Sequence, residues 1–231
     1  MKPENPTIRH VPHDSYGPVR YSGDMTEHTR RRFLVGAAGA GTVALAGCLS
    51  GGGGSADLDR IDPADRPMLG DADAPVTLTV FEDFSCPACR QFKSQFTPQI
   101  VDQFVEPGQA RYFHADFPLP VDSTWSFAVA SAAREVFAEA GDDGFWEFST
   151  AIYDHQGSYS LDVIEEVADD AAGVGAAAAA AADDLTHQET VEADKTMGEE
   201  WGVGGTPSVF VDEQPVENDL GEIARAIDDA Q

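Results

Sequence analysis

From residue 76 onward apolar and polar side chains alternate: Val76, Leu78, Val80 and Phe84 fall on one side, and Glu82 shares that side with them. A period of two is the pattern of a strand burying a face, and an acid on such a line is unusual. After Cys86 the period changes. Phe92, Phe96, Ile100 and Phe104 recur every four residues, which predicts a helix with one buried stripe. Pro98 lies inside that stripe and should kink or split the helix, because it supplies no backbone donor. Gly108 allows a turn into a second strand over residues 109–116, with Phe113, Ala115 and Phe117 on one face. Phe117-Pro118-Leu119-Pro120 ends that strand, and residues 57–74 before the first one read as a non-periodic lead-in loop.

Residues 122–201 read as helix almost throughout. Trp125, Val129, Ala132, Val136 and Ala140 form one stripe behind an Asp122 or Ser123 cap. A second helix carries Phe145, Trp146, Phe148, Ile152 and Tyr153, and a third spans 161–172. The alanine run 176–182 predicts a fourth, since alanine is the best helix former, and residues 188–201 supply a fifth. Strand character returns at 206–211, followed by a turn at 212–214 and a short paired strand at 215–217. The chain closes on a helix capped by Asp219, with Glu222 three residues on and Leu220, Ile223, Ala224 and Ile227 on one face. The order strand, helix, strand, helical block, hairpin, helix describes an α/β core, 75–120 and 202–231, with an all-helical insertion at 121–201.

Charge alters this picture in one respect. The chain of 231 residues has 41 acidic against 14 basic side chains, and only Lys93 and Lys195 are lysines beyond the first 48 residues. Aromatic and aliphatic runs still provide a core, so the acid is a solvated surface rather than a disordered tail. Repulsion disfavours nucleic acid and anionic membranes as partners of the folded part. Abundant Asp with almost no Lys resembles the proteins of extreme halophiles, whose surroundings screen self-repulsion within a few ångströms.

The first 48 residues are different. Arg30-Arg31 followed by Phe33-Leu34 opens a short apolar run of small residues, too short for a spanning helix. This resembles a twin-arginine export signal. Its end, Leu45-Ala46-Gly47-Cys48, resembles a lipobox, in which the cysteine carries the lipid and becomes the first mature residue. Residues 49–74, which begin with the glycine-rich run 51–55, then read as a flexible tether. Because such signals start close to the arginine pair, Met25 is a candidate initiator.

The chemistry concentrates at Cys86-Pro87-Ala88-Cys89, between the first strand and its helix. A thiol attacks a disulfide only as its thiolate. At a helix start, Cys86 faces free backbone N–H groups and the positive end of the dipole, and Pro87 gives up an N–H that lacks a partner anyway. Cys89, one turn on, faces the same side. The spacing therefore assigns Cys86 as the exposed nucleophile and Cys89 as the resolving thiol. A zinc site would need about four ligands, and neither a second Cys-x-x-Cys nor the scattered His114, His155 and His187, read as surface or half-buried, supplies them. A purely structural disulfide would close too short a loop to stabilise much.

Residues 81–89 (Phe-Glu-Asp-Phe-Ser-Cys-Pro-Ala-Cys), Phe117-Pro118-Leu119-Pro120, the Phe145-Trp146 helix and Gly202-Val203-Gly204-Gly205-Thr206-Pro207-Ser208 resemble, in order, the DsbA-like branch of the thioredoxin superfamily. The resemblance spans about residues 70–231. It implies a thioredoxin-like fold with an all-helical insertion and a cis Thr206–Pro207 bond beside Cys86. The Thr206 backbone would receive an extended substrate segment, and the Thr206–Pro207 loop would keep metals from the thiols. Two departures stand out. The family's oxidase dipeptide is Pro-His, where this chain has Ala88. The family's buried acid lies six residues before the first cysteine, where this chain has Val80, which leaves Glu82 as the candidate proton relay for Cys89. Arg90 and Lys93 are rare positive charges near the thiols, either thiolate-stabilising or ordinary helix-surface residues.

The resulting expectation is an extracytoplasmic, lipid-anchored thiol–disulfide oxidoreductase that forms disulfides in exported proteins. It would need no cofactor beyond its own Cys86–Cys89 pair and would exchange electrons with a membrane partner. A reductase or isomerase fed by a membrane electron donor is the nearest alternative. A non-catalytic surface lipoprotein that uses the fold for binding is the second.

Overall fold

A computed structural model describes residues 66–231. The leader, with Met25, Arg30-Arg31 and Cys48, and the tether as far as residue 65 lie outside the described residues.

The centre is β2, Val76–Glu82, which pairs in parallel with β3, Ala110–Asp116, in the register Val76↔Ala110 to Glu82↔Asp116. A parallel pair needs a crossover. It is supplied by α1, Pro87–Gln95, and α2, Thr97–Ile100, followed by a π-helical turn at Val101–Val105. Pro98 splits the helix as expected: α1 stops at Gln95, and the proline sits in the first turn of α2, where its missing N–H is harmless.

β4, Ser208–Val211, lies antiparallel on the other side of β2 and pairs outward with β5, Gln214–Val216. The turn between them places Asp212 and Glu213 at φ 43° and 65°, the left-handed pair that a tight hairpin requires. β4 begins two residues later than the apolar pattern suggests, since Pro207 has no amide to give to the ladder. The last helix, α7, is Leu220–Asp229; Asp219 Oδ1 accepts the amides of Gly221 and Glu222, at 2.9 and 3.2 Å. Glu222 pairs with Arg225.

One expectation fails at the start. Part of the stretch read as lead-in and tether belongs to the folded unit: β1, Met68–Leu69, adds an antiparallel edge to β3 and completes the order β1-β3-β2-β4-β5. Two residues are too few to show a period, and the anchors lie elsewhere. Met68 N–H donates to Asp142 at 2.6 Å, and Arg66 pairs with Asp194 at 2.8 Å.

Between β3 and β4 come α3, Trp125–Ile152, α4, Leu161–Ala172, α5, Gly175–Asp184, and α6, Gln188–Glu200. Asp122 Oδ1 accepts the Trp125 amide at 2.9 Å, and Ser160 accepts that of Val163 at 3.1 Å. α3 is two helices joined across a kink at Gly141, whose φ of 72° and ψ of −161° suit a residue without a Cβ. This break falls between the two expected helices. The alanines of α5 allow close packing on α3, where Ser131 Oγ donates to the Ala181 carbonyl at 2.7 Å. Among the described residues, no helix is long and apolar enough to cross a membrane.

Candidate active site

Cys86 occupies the N-cap of α1, with extended backbone (φ −82°, ψ 120°) and Pro87 in the first turn. Its own amide donates to the Asp83 carbonyl at 2.9 Å, which fixes the turn from β2 into the helix. The Cys86 thiol falls from an ordinary 9.0 to about 5. The largest cause is the Cys89 thiol, which donates to its sulfur; burial opposes this, while Thr206 and the backbone N–H groups of Cys89 and Ala88 add to it. Cys89 moves the other way, raised by burial first, then by its hydrogen bond to Cys86 and by the Glu82 carboxylate. Both cysteines are free thiols. The expected exposure of Cys86 needs correction: it is buried, 7% exposed against 0% for Cys89.

The loop before β4 lies against Cys86. The Thr206–Pro207 bond is cis, and Cys86 Sγ lies 3.4 Å from the Thr206 carbonyl oxygen. Asn218 Nδ2 donates to the Pro207 carbonyl at 2.5 Å, and Ser208 Oγ donates to that of Gly205 at 2.7 Å, so the loop is tied at both ends.

Beneath the thiols Glu82 is buried. Its Oε2 meets Lys93 Nζ at 3.2 Å and His114 Nδ1 at 3.1 Å, while Oε1 accepts no hydrogen bond. Burial alone would raise this carboxyl; Lys93 and His114 outweigh it and hold it low. His114 Nε2 meets Asp116 Oδ1 at 3.0 Å. Burial would drain charge from the imidazole, but the two carboxylates raise its pKa. Asp116 is held low against its own burial by Arg134, 2.6 Å away, and Arg134 also binds Asp194. A line of alternating charge thus runs from Lys93 to Arg66.

Asp83, next to Glu82, points elsewhere. Its Oδ1 accepts the Ser85 amide at 2.8 Å, and its Oδ2 accepts the Leu119 amide and the Ser126 hydroxyl at 2.8 and 3.0 Å. Tyr159 Oη and Gln156 Nε2 donate to the Phe84 carbonyl at 2.7 and 2.9 Å. The helical block is therefore pinned to the loop that carries the thiols.

The pattern of residues brought Cys86, Cys89, Glu82, Thr206 and Pro207 to one place. It missed His114, which is fully buried rather than at the surface, and it left two readings of Lys93, whose ammonium is buried, 4.4 Å above the Trp146 ring. The signal of His114 was present: Tyr112, His114 and Asp116 alternate along β3 onto the Glu82 face. Arg90 by contrast is exposed, 3.8 Å from Asp154. Among the described residues no cluster of His, Cys, Asp and Glu could hold a metal ion.

A family model described as thioredoxin matches residues 63–229. The chain belongs to the thioredoxin family. This thioredoxin-family chain is 26% identical over 171 residues to "Disulfide bond formation protein D" of Bacillus subtilis, covering 71% of its own length and 76% of that protein. It superposes on the crystal structure of oxidised BdbD from Bacillus subtilis with a TM-score of 0.67 at 25% identity, over 72% of this chain and 93% of the other. The DsbA of Chlamydia trachomatis gives 0.66 at 22% identity, over 74% and 93%. The fold is the DsbA-like thioredoxin fold with its helical insertion.

Proposed function

We propose that this chain is a thiol–disulfide oxidoreductase that introduces disulfides into exported proteins through Cys86 and Cys89. The observation that carries the reading is the asymmetry of the two thiols. Cys86, at about 5, is a thiolate near neutral pH and a good leaving group. Cys89, enclosed and raised, keeps its proton until it is needed. The names of the Bacillus relatives support the same chemistry.

In the oxidising direction a substrate thiolate attacks Cys86 Sγ. The Cys86–Cys89 bond breaks, and its electron pair leaves on Cys89, which takes up a proton. A second substrate thiolate then attacks the substrate sulfur of the mixed disulfide, and Cys86 leaves as thiolate. The substrate has lost two electrons and the enzyme has gained them. A membrane partner would remove them again. A stabilised Cys86 thiolate favours the reduced enzyme, which makes its disulfide the stronger oxidant and so favours this direction over a reductase. The Thr206 backbone beside Cys86 would align an extended segment, and Glu82 would relay the proton of Cys89.

The reaction belongs outside the cytoplasm, where disulfides persist. Export through Arg30-Arg31 and anchoring through a lipid on Cys48 would place it there. Oxidation of a reduced protein substrate, followed for wild type and Cys86→Ser, tests the activity: wild type is expected to turn over and the variant to be inert. Equal rates would sink the enzyme reading and leave a binding module. A measured reduction potential separates oxidase from reductase, and the mass of residue 48 in the mature protein tests the anchor.

A further inference from the structure

The buried charges beneath the thiols raise a question that Glu82 alone does not answer. When the Cys86–Cys89 bond opens, Cys89 becomes a thiolate with no exposed surface, so its proton must come from inside. Glu82 is held ionised and brings no proton of its own. Two side chains touch its Oε2, the Lys93 ammonium from α1 and the His114 imidazole from β3. An imidazolium is ordinarily a far stronger acid than an ammonium. Lys93 is also held by the Trp146 ring, 4.4 Å below its nitrogen.

We propose that His114 is a positioning residue for thiol–disulfide exchange, holding between Glu82 and Asp116 the proton that passes through Glu82 to Cys89. The inference rests on the exchange reaction proposed above. In the forward step the Cys86–Cys89 bond breaks and the electron pair stays on Cys89. The Nδ1 proton of His114 moves to Glu82, and Glu82 gives a proton to Cys89 Sγ. His114 is left neutral, with its remaining proton on Nε2 toward Asp116. In the reverse step, when Cys89 attacks a mixed disulfide, the same proton returns.

The surroundings suit this task. Asp116 does not compete for the proton, because Arg134 from α3 binds it at 2.6 Å, and Arg134 is bound in turn by Asp194 from α6. Asp116 therefore acts as a fixed negative end that selects the Nε2–H tautomer. The ring of His114 packs among Phe84, Phe145 and Trp146, with centroids at 5.6, 5.0 and 6.4 Å. Glu82 Oε1, buried without a hydrogen-bond partner, is a free acceptor on the relay carboxyl.

The test compares wild type, His114→Gln and the charge-balanced double variant Glu82→Gln/His114→Gln. Opening of the oxidised pair by a small dithiol is followed by rapid quench between pH 5 and 9. In His114→Gln the opening step should slow by about tenfold or more, and its pH profile should steepen as solvent replaces the internal proton. Alkylation of Cys86 in the reduced protein should proceed in all three. If the single variant does not fold, the double variant, in which one negative and one positive charge are lost together, gives the readout and should remain slow. A wild-type rate and profile in His114→Gln, or a rate restored by the double variant, overturns the proposal and reduces His114 to a packing group. Absence of exchange in the wild type would instead overturn the functional reading.

Discussion

β2 and β3 present two opposite faces made from alternate residues of the same strands. One face carries Phe81, Phe113, Ala115 and Phe117, joined by Phe210 and Trp201 in edge-to-face contacts such as Phe81–Phe117 at 6.2 Å. The other carries Glu82, His114 and Asp116, equally buried. The register makes Glu82 and Asp116 direct neighbours, a like-charge pair that would repel if His114 did not stand between them. Burial alone therefore does not tell scaffold from site. The apolar face needs only shape, whereas the charged face needs every partner present, and its network ends beneath the thiols.

The comparison breaks hardest at Arg134. Arg134→Met leaves the buried carboxylates of Asp116 and Asp194 facing each other with only His114 and Arg66 beside them, and should cost about 3–5 kcal/mol in urea unfolding. High salt should not recover it, since screening ions do not reach these groups. On the other face Phe81→Ala opens a cavity and should cost about 3 kcal/mol, while the alkylation midpoint of Cys86 stays near 5. A shifted midpoint would show that the two faces are not independent. Gly198→Ala is milder. Its new Cβ would sit 2.7 Å from the Phe117 ring and 3.0 Å from that of Phe81, and such overpacking should cost about 2 kcal/mol, read from the melting curve.

The thiolate gives a pH-dependent version of the contrast. Cys86 is depressed from 9.0 to about 5, so the stability it adds to the reduced protein is full above pH 9 and is lost as the pH falls toward 5. The oxidised protein has no such ionisation. Urea midpoints of the reduced form, taken relative to the oxidised form, should therefore fall between pH 9 and pH 5; a constant difference would mean that the thiolate is not stabilised. The smallest effect is expected at Asp83, whose carboxylate is bound by Ser85, Leu119 and Ser126 and acts on Cys86 through its charge alone. Asp83→Asn should lower the alkylation midpoint by less than about one unit, and a rise would reverse the sign of that interaction.

Most of the fold was legible in the sequence because it repeats. The stripes at Phe92–Phe104 and Leu220–Ile227, the alternation in β2 and β3, and the Asp122 and Asp219 caps are local signals. The two-residue β1 has no period, so its anchoring by Asp142 and Arg66 could not be read locally. The thiols and Thr206-Pro207 were visible as motifs. The network was visible only in pieces, because Lys93, His114, Asp116, Arg134 and Asp194 belong to four different elements. Each looks like an ordinary surface charge until the sheet register and the helical insertion bring them together.

Trp146 is the ring that both Lys93 and His114 touch. Its indole therefore sits in the local field of the relay, whereas Trp125 packs at a tilt against Tyr159 and Trp201 lies across the sheet. Neutralising His114, or charging Cys89, changes that field at one fluorophore of three. The molecule carries a built-in optical probe: the emission of Trp146, isolated by replacing the other two tryptophans, should change colour and brightness as the thiols open and close.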